Sequence, residues 1–124
     1  MNSQAELIYI FGAEKVKTSL EAFPILLLKL QENISPIKLQ SILEEQMVQF
    51  IEEFEKEENC AELLGISIEE YQRKSKEDEC ETLKKCLHLI IPKMTDLFYP
   101  EFEGVLTIEE TKTFVESIFI VGVM

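Results

Sequence analysis

Tryptophan is absent from this chain of 124 residues, histidine occurs once, and glycine and proline occur four times each. Each shortage removes a class of function. The four glycines (Gly12, Gly65, Gly104 and Gly122) are isolated, so no glycine-rich loop is available to wrap a phosphate. With His88 as the lone histidine, zinc ligation would have to draw on the three cysteines, Cys60, Cys80 and Cys86. Cys80, Cys86 and His88 fall at divergent angles on one helix and cannot converge on a tetrahedral ion. Cys86 and His88 stand two residues apart, so they face away from each other and make no nucleophile–base pair. His88 reads as a boundary residue. No cluster of asparagine, glycine or histidine marks a cleft around the abundant carboxylates. The expectation is a protein that is not an enzyme, with no cofactor and no metal.

Long apolar runs are also missing. No stretch of 18 apolar residues exists, so no spanning helix is expected, and no basic segment leads into a long apolar one at the N-terminus, as a signal peptide requires. An odd cysteine count without a spacing framework points to reduced thiols and a cytoplasmic setting. Basic residues are scarce: 12 Lys and Arg face 24 Asp and Glu, for a net charge of −12. The first 34 residues, with four Glu and three Lys, hold −1 of this; the other ninety hold −11. Such a surface repels nucleic acid and anionic lipid and attracts basic proteins.

What is present is apolar surface, 46% of residues, in a length that fits one domain spanning 1–124 and buries roughly two-thirds of its unfolded surface. Its periodicity is helical. From Ser35 to Asn59, Ser35 supplies a cap and Pro36 a first helical position. Leu39, Ile42, Leu43, Met47, Phe50, Ile51 and Phe54 then recur at the 3/4 spacing of one helix face. Val48 falls off that stripe, toward solvent. This helix, expected to end near Glu58, reads as the element around which the others pack.

The remaining segments read in the same way. Ser3 and Glu6 open a helix of about 4–11, stopped by Gly12. Val16, Leu20, Phe23, Leu27 and Leu28 form a stripe that passes through Pro24, favouring one helix over about 13–31 kinked at the proline over two short helices with Pro24 opening the second. Cys60–Gly65 predicts a short helical turn, and Ser67 with Glu70 opens a helix over about 68–76. A phase change between Lys74 and Glu79 marks a break. Cys80, Leu83, Leu87, Ile90, Ile91, Met94 and Leu97 make a second strong stripe, with Pro92 on its outer face. Tyr99–Gly104 reads as the longest loop. Thr107 and Glu110 open a last helix over about 108–121, packing by Ile108, Val115, Ile118 and Phe119. The apolar tail 118–124 is either buried or held by a partner, with an edge strand as a third option. The fold class is all-α, a compact bundle of five to seven helices.

Two segments 40 residues apart, Ile66–Glu70 and Leu106–Glu110, share a pattern, and the helices before them match in part, which suggests two degenerate helix–loop–helix halves. The second half resembles a degraded EF-hand, with Gly104 as turn glycine, Leu106 as the short-strand residue, Glu101 and Glu103 at ligand places and Glu110 as closing carboxylate. Tyr99 stands where the first aspartate belongs, and Asn59, Ala61 and Leu63 fill the ligand places of the first half, so calcium binding is not expected. Ala61–Ser67 resembles the helix and turn of a helix-turn-helix DNA reader, but Glu69 and Glu70 stand where phosphates and base edges are met.

From Glu44 to Glu62 the chain carries eight Glu and one Lys. Within this run Glu45, Glu52, Glu53, Glu55, Glu57 and Glu58 are the candidate binding residues. In size and charge the chain is similar to acidic inhibitors of toxins and nucleases, such as bacteriocin or contact-dependent-inhibition immunity proteins. That likeness implies a basic protein partner, steered electrostatically and then occluded. The alternatives are an adaptor binding an apolar helix through the paired halves, and a DNA-binding regulator.

Overall fold

Local chain chemistry divides the described residues into seven helices. The computed structural model describes residues 3–123. The helices are α1 (Ser3–Phe11), α2 (Ala13–Asn33), α3 (Pro36–Phe54), α4 (Glu57–Leu64), α5 (Ile68–Glu77), α6 (Glu79–Phe102) and α7 (Ile108–Val123). Among the described residues there is no strand, and no helix is long and apolar enough to cross a membrane.

Each break has a local cause. Gly12 turns the chain at φ 90°, a value favouring glycine. Ser35 accepts the Lys38 N–H at 3.3 Å and Pro36 begins α3. After α4, Gly65 is left-handed; its N–H bonds Glu62 O and that of Ile66 bonds Ala61 O, the Schellman closure. Asp78 breaks α5 from α6 and caps α6 by accepting the Glu81 N–H at 3.1 Å. At α7 both arms of the capping box form: the Glu110 N–H donates to Thr107 Oγ1 at 3.1 Å, and the Thr107 N–H donates to Glu110 Oε1 at 2.9 Å. The Ser67 cap shows one arm, from the Glu70 N–H. The Ser3 side chain and Met124 lie outside the described residues.

The centre of the bundle is α6, not α3. Nine α6 residues are buried, against Leu39 and Ile42 in α3, and α6 packs against α1, α3, α4, α5 and α7. α7 packs on its other side against α2, where small residues (Ser19 on α2, Thr111 and Ser117 on α7) are fully buried. An aromatic chain crosses these layers: Phe23 stacks on Phe114 at 5.8 Å, Phe114 meets Phe102 edge-on at 5.9 Å, and Phe102 stacks on Phe98 at 5.6 Å. A smaller cluster of Leu7, Val16 and Ile120 closes the end where α1, α2 and α7 meet.

α2 and α6 run unbroken through Pro24, Pro92 and Pro100. All three prolines are exposed, so the carbonyls that lose a partner four residues earlier lie on the wetted side.

Four expectations are corrected. α3 ends at Phe54, not Glu58, because side chains of α4 take its terminal carbonyls. Asn59 Nδ2 donates to Glu53 O at 2.5 Å, and Cys60 Sγ donates to Phe54 O at 3.4 Å. The expected loop at Tyr99–Gly104 is helical as far as Phe102, held by the full burial of Phe98 and Phe102. Leu28, Ile51, Leu83, Leu97 and Ile108, assigned to buried stripes, are exposed. The two halves are not structural copies: α3 stops at Phe54, whereas α6 continues two turns past the matching Met94. The EF-hand likeness fails for the same reason. Tyr99–Phe102 stays helical, and the Glu110 carboxylate is occupied by the Thr107 N–H and by Lys29 at 3.2 Å. The tail 118–122 is helical, with Ile120 fully buried.

Phe102→Ala should cost about 3–5 kcal/mol in urea unfolding; a loop position at 102 would lose far less. The Thr107 N–H, with Lys29 beside it, holds the Glu110 carboxyl below its ordinary value. A depressed folded value stabilises above the ordinary carboxylate range, and that contribution fades as pH falls through the folded value. The wild type should therefore exceed Glu110→Gln in melting temperature at neutral pH, and the gap should close on acidification. Thr107→Ala should cost about 1 kcal/mol.

Candidate protein-binding surface

The acidic face follows from how α3 packs. Its apolar stripe turns toward α6, which leaves Glu45 and Glu52 on the opposite side and Glu53 at the border. Glu55 caps the C-terminus of α3. Glu57 and Glu58 occupy the first turn of α4, where carboxylates suit the helix dipole. All six are exposed. Glu57 accepts from Gln72 Nε2 at 2.6 Å and Glu45 accepts from Ser41 Oγ at 3.3 Å. Among the described residues none of the six pairs with a cation. The ion pairs lie elsewhere: Lys15 with Glu116 at 3.1 Å, Lys29 with Glu110, Arg73 with Glu70 and Glu77, and Lys74 with Glu70. Arg73 and Lys74 are thus paired on their own helix. The Glu-rich α3–α4 edge carries its charge outward.

Beside this edge lies an apolar cleft that no local spacing announced. A cavity of about 380 Å³ opens between α3, α5, α6 and α7, walled by Phe50, Phe54, Tyr71, Leu83, Leu87 and Phe119. Cys60 and Cys86 complete its floor, and Glu79 is its one charged lining residue. A second cavity, of about 270 Å³, continues along the α3–α6 seam past Phe50, Phe54 and Ile90 to Leu97, with Glu53, Lys93 and Asp96 at its edge. Phe50 holds the divide, 5.0 Å from the Phe54 ring and 5.5 Å from Phe119.

The cleft chemistry is neutral. Burial, and then the neighbouring Cys60, pushes the Cys86 thiol up to about 11. Burial first and Cys60 second push Tyr71 upward as well. These groups stay protonated and serve as wall, not as nucleophiles. Their convergence was unreadable in sequence because Cys60, Tyr71, Cys86 and Phe119 come from four helices.

Several polar residues of α6 turn to α1. Tyr9 donates to Glu81 and lies under Lys84 Nζ, 4.8 Å from the ring centroid. That hydrogen bond, ahead of burial and nearby negative charge, lifts the Tyr9 hydroxyl to about 12. His88 Nε2 donates to Ile10 O at 2.9 Å, capping the end of α1. Cys80 is pushed upward by burial and by Glu6 of α1. Cys80 and His88 therefore face α1 while Cys86 faces Cys60. Among the described residues no group of three His, Cys, Asp or Glu could hold a metal. The Glu110 carboxylate, held below its ordinary value, belongs to a helix cap and not to a cavity.

No protein-family model, no curated protein and no solved structure matches this chain.

Cys60 and Cys86 are buried and Cys80 is partly open. Alkylation of the native protein at neutral pH should modify Cys80 first, by peptide mass mapping, with Cys60 and Cys86 reacting only after denaturant is added.

Proposed function

We propose that this is a non-catalytic protein that binds a basic protein partner through the glutamate-rich edge of α3 and α4, in the manner of an immunity or inhibitor protein. The observation that carries the reading is the exposure of Glu45, Glu52, Glu53, Glu55, Glu57 and Glu58 with, among the described residues, no ion pair to any of them. Unpaired like charge on one edge raises the rate at which an oppositely charged surface arrives. Occlusion of the partner's site follows from docking and needs no reactive group.

A second reading, an adaptor that takes an apolar helix, is favoured by the cleft along the α3–α6 seam. Its original support, a pair of EF-hand-like halves, is gone. The DNA-reader alternative has less: α4 and α5 are joined across three residues as such a motif requires, but Glu69 and Glu70 open α5 and its Arg73 and Lys74 are already paired.

With a partner captured from the native host, stopped-flow association should slow by about tenfold or more between low and high salt. Changing the six glutamates to glutamine should slow it similarly at low salt. A rate indifferent to both would overturn the proposal.

A further inference from the structure

The α6 stripe is left open at its two ends, and the openings coincide with the two cavities. Leu83 lines the larger cavity and is 44% exposed; Leu97 lines the smaller and is 47% exposed. Fourteen residues separate them, about 21 Å along a helix, and the cavities share Phe50, Phe54 and Ile90. The result is one apolar furrow of about four helical turns beside α3. Its charged edge groups are Glu79, Glu53 and Asp96 against Lys93, so the furrow is apolar along its floor and negative at its rim.

We infer that this furrow receives the apolar face of a basic amphipathic helix belonging to the protein partner. The inference rests on the basic-partner reading and adds where the partner's apolar contacts go. An apolar ridge at i, i+3, i+4 and i+7 fits a furrow between two helices. Lysines or arginines flanking that ridge meet Glu53, Glu79 and Asp96 and then the outer carboxylates of α3 and α4. Strand addition has no counterpart here, because the described backbone presents no sheet edge. The acidic edge would govern arrival and the furrow would govern residence, so the two parts of the surface separate kinetically.

The probe is a labelled synthetic peptide of leucine and lysine, about 18 residues long, with leucines at helical spacing. Its control has the same composition with leucines alternating. Anisotropy at moderate salt should show the helical peptide binding at least about tenfold more tightly than the control, and circular dichroism should show it becoming helical on binding. Leu83→Gln and Leu97→Gln remove partly exposed side chains, and unchanged thermal melts would verify their folds. Each should weaken the helical peptide about fivefold or more, chiefly through faster dissociation, and leave the control unaffected. Alkylation of Cys86 in denaturant-loosened protein should slow when the helical peptide is bound.

Equal binding of both peptides, with no effect of Leu83→Gln or Leu97→Gln, would overturn the furrow assignment and leave the acidic-edge reading standing. Binding by neither peptide would overturn the furrow assignment as well; the acidic edge is judged separately, by the salt dependence with the native partner. Sedimentation showing a dimer that Leu83→Gln dissociates would give the furrow to a second copy of this chain and overturn the inference.

Discussion

The burial of α6 is the constraint on which the remaining structure depends. A 24-residue helix with nine buried side chains cannot shed that much apolar surface against one neighbour. Five helices surround it, and several of them are too short to be stable alone. α1, α4 and α5 have 9, 8 and 10 residues, and each owes its order to the wall it lays on α6. α2 is the long exception. It reaches the core mainly through α7, and the small buried residues Ser19, Thr111 and Ser117 fit a seam of closely approaching helices.

The same constraint explains why proline is tolerated twice inside α6. An interior proline costs about 3 kcal/mol in an isolated helix. In α6 the flanking Ile90, Ile91, Met94, Phe98 and Phe102 are all buried, which offsets that cost in a way no local rule anticipates. Pro92 and Pro100 sit eight residues apart on the wetted side, so the inner ladder of hydrogen bonds is left whole where water is excluded.

Helix existence was legible from periodicity, and so were the caps at Ser35, Ser67 and Thr107 and the breaks at Gly12, Gly65 and Asp78. The hierarchy was not. The stripe of α3 looks as strong as that of α6, and nothing local says which will be enclosed. The end of α3 was missed because it depends on Asn59 and Cys60 reaching back to the Glu53 and Phe54 carbonyls. Tyr99–Phe102 was misread because a proline, two glutamates and a glycine look like a loop until Phe102 finds Phe98 and Phe114. The six glutamates were picked out by the density of charge from Glu44 to Glu62. The cleft was invisible, since its walls come from α3, α4, α5, α6 and α7 and its openness depends on what α3 fails to cover.

The clasp between the two ends of the sequence has a consequence for synthesis. Lys29 meets Glu110, His88 meets Ile10 and Tyr9 meets Glu81, across 81, 78 and 72 residues. The middle helices can dock on near neighbours as they emerge. The amino-terminal pair has no such option, because its seats on α6 and α7 emerge 72 to 81 residues later. At common translation speeds the wait is on the order of 4–16 s, during which Leu26, Leu30 and Val16 have no lasting cover. Chaperone dependence of the nascent chain should thus be concentrated in its first quarter, the part with the least charge to keep it in solution.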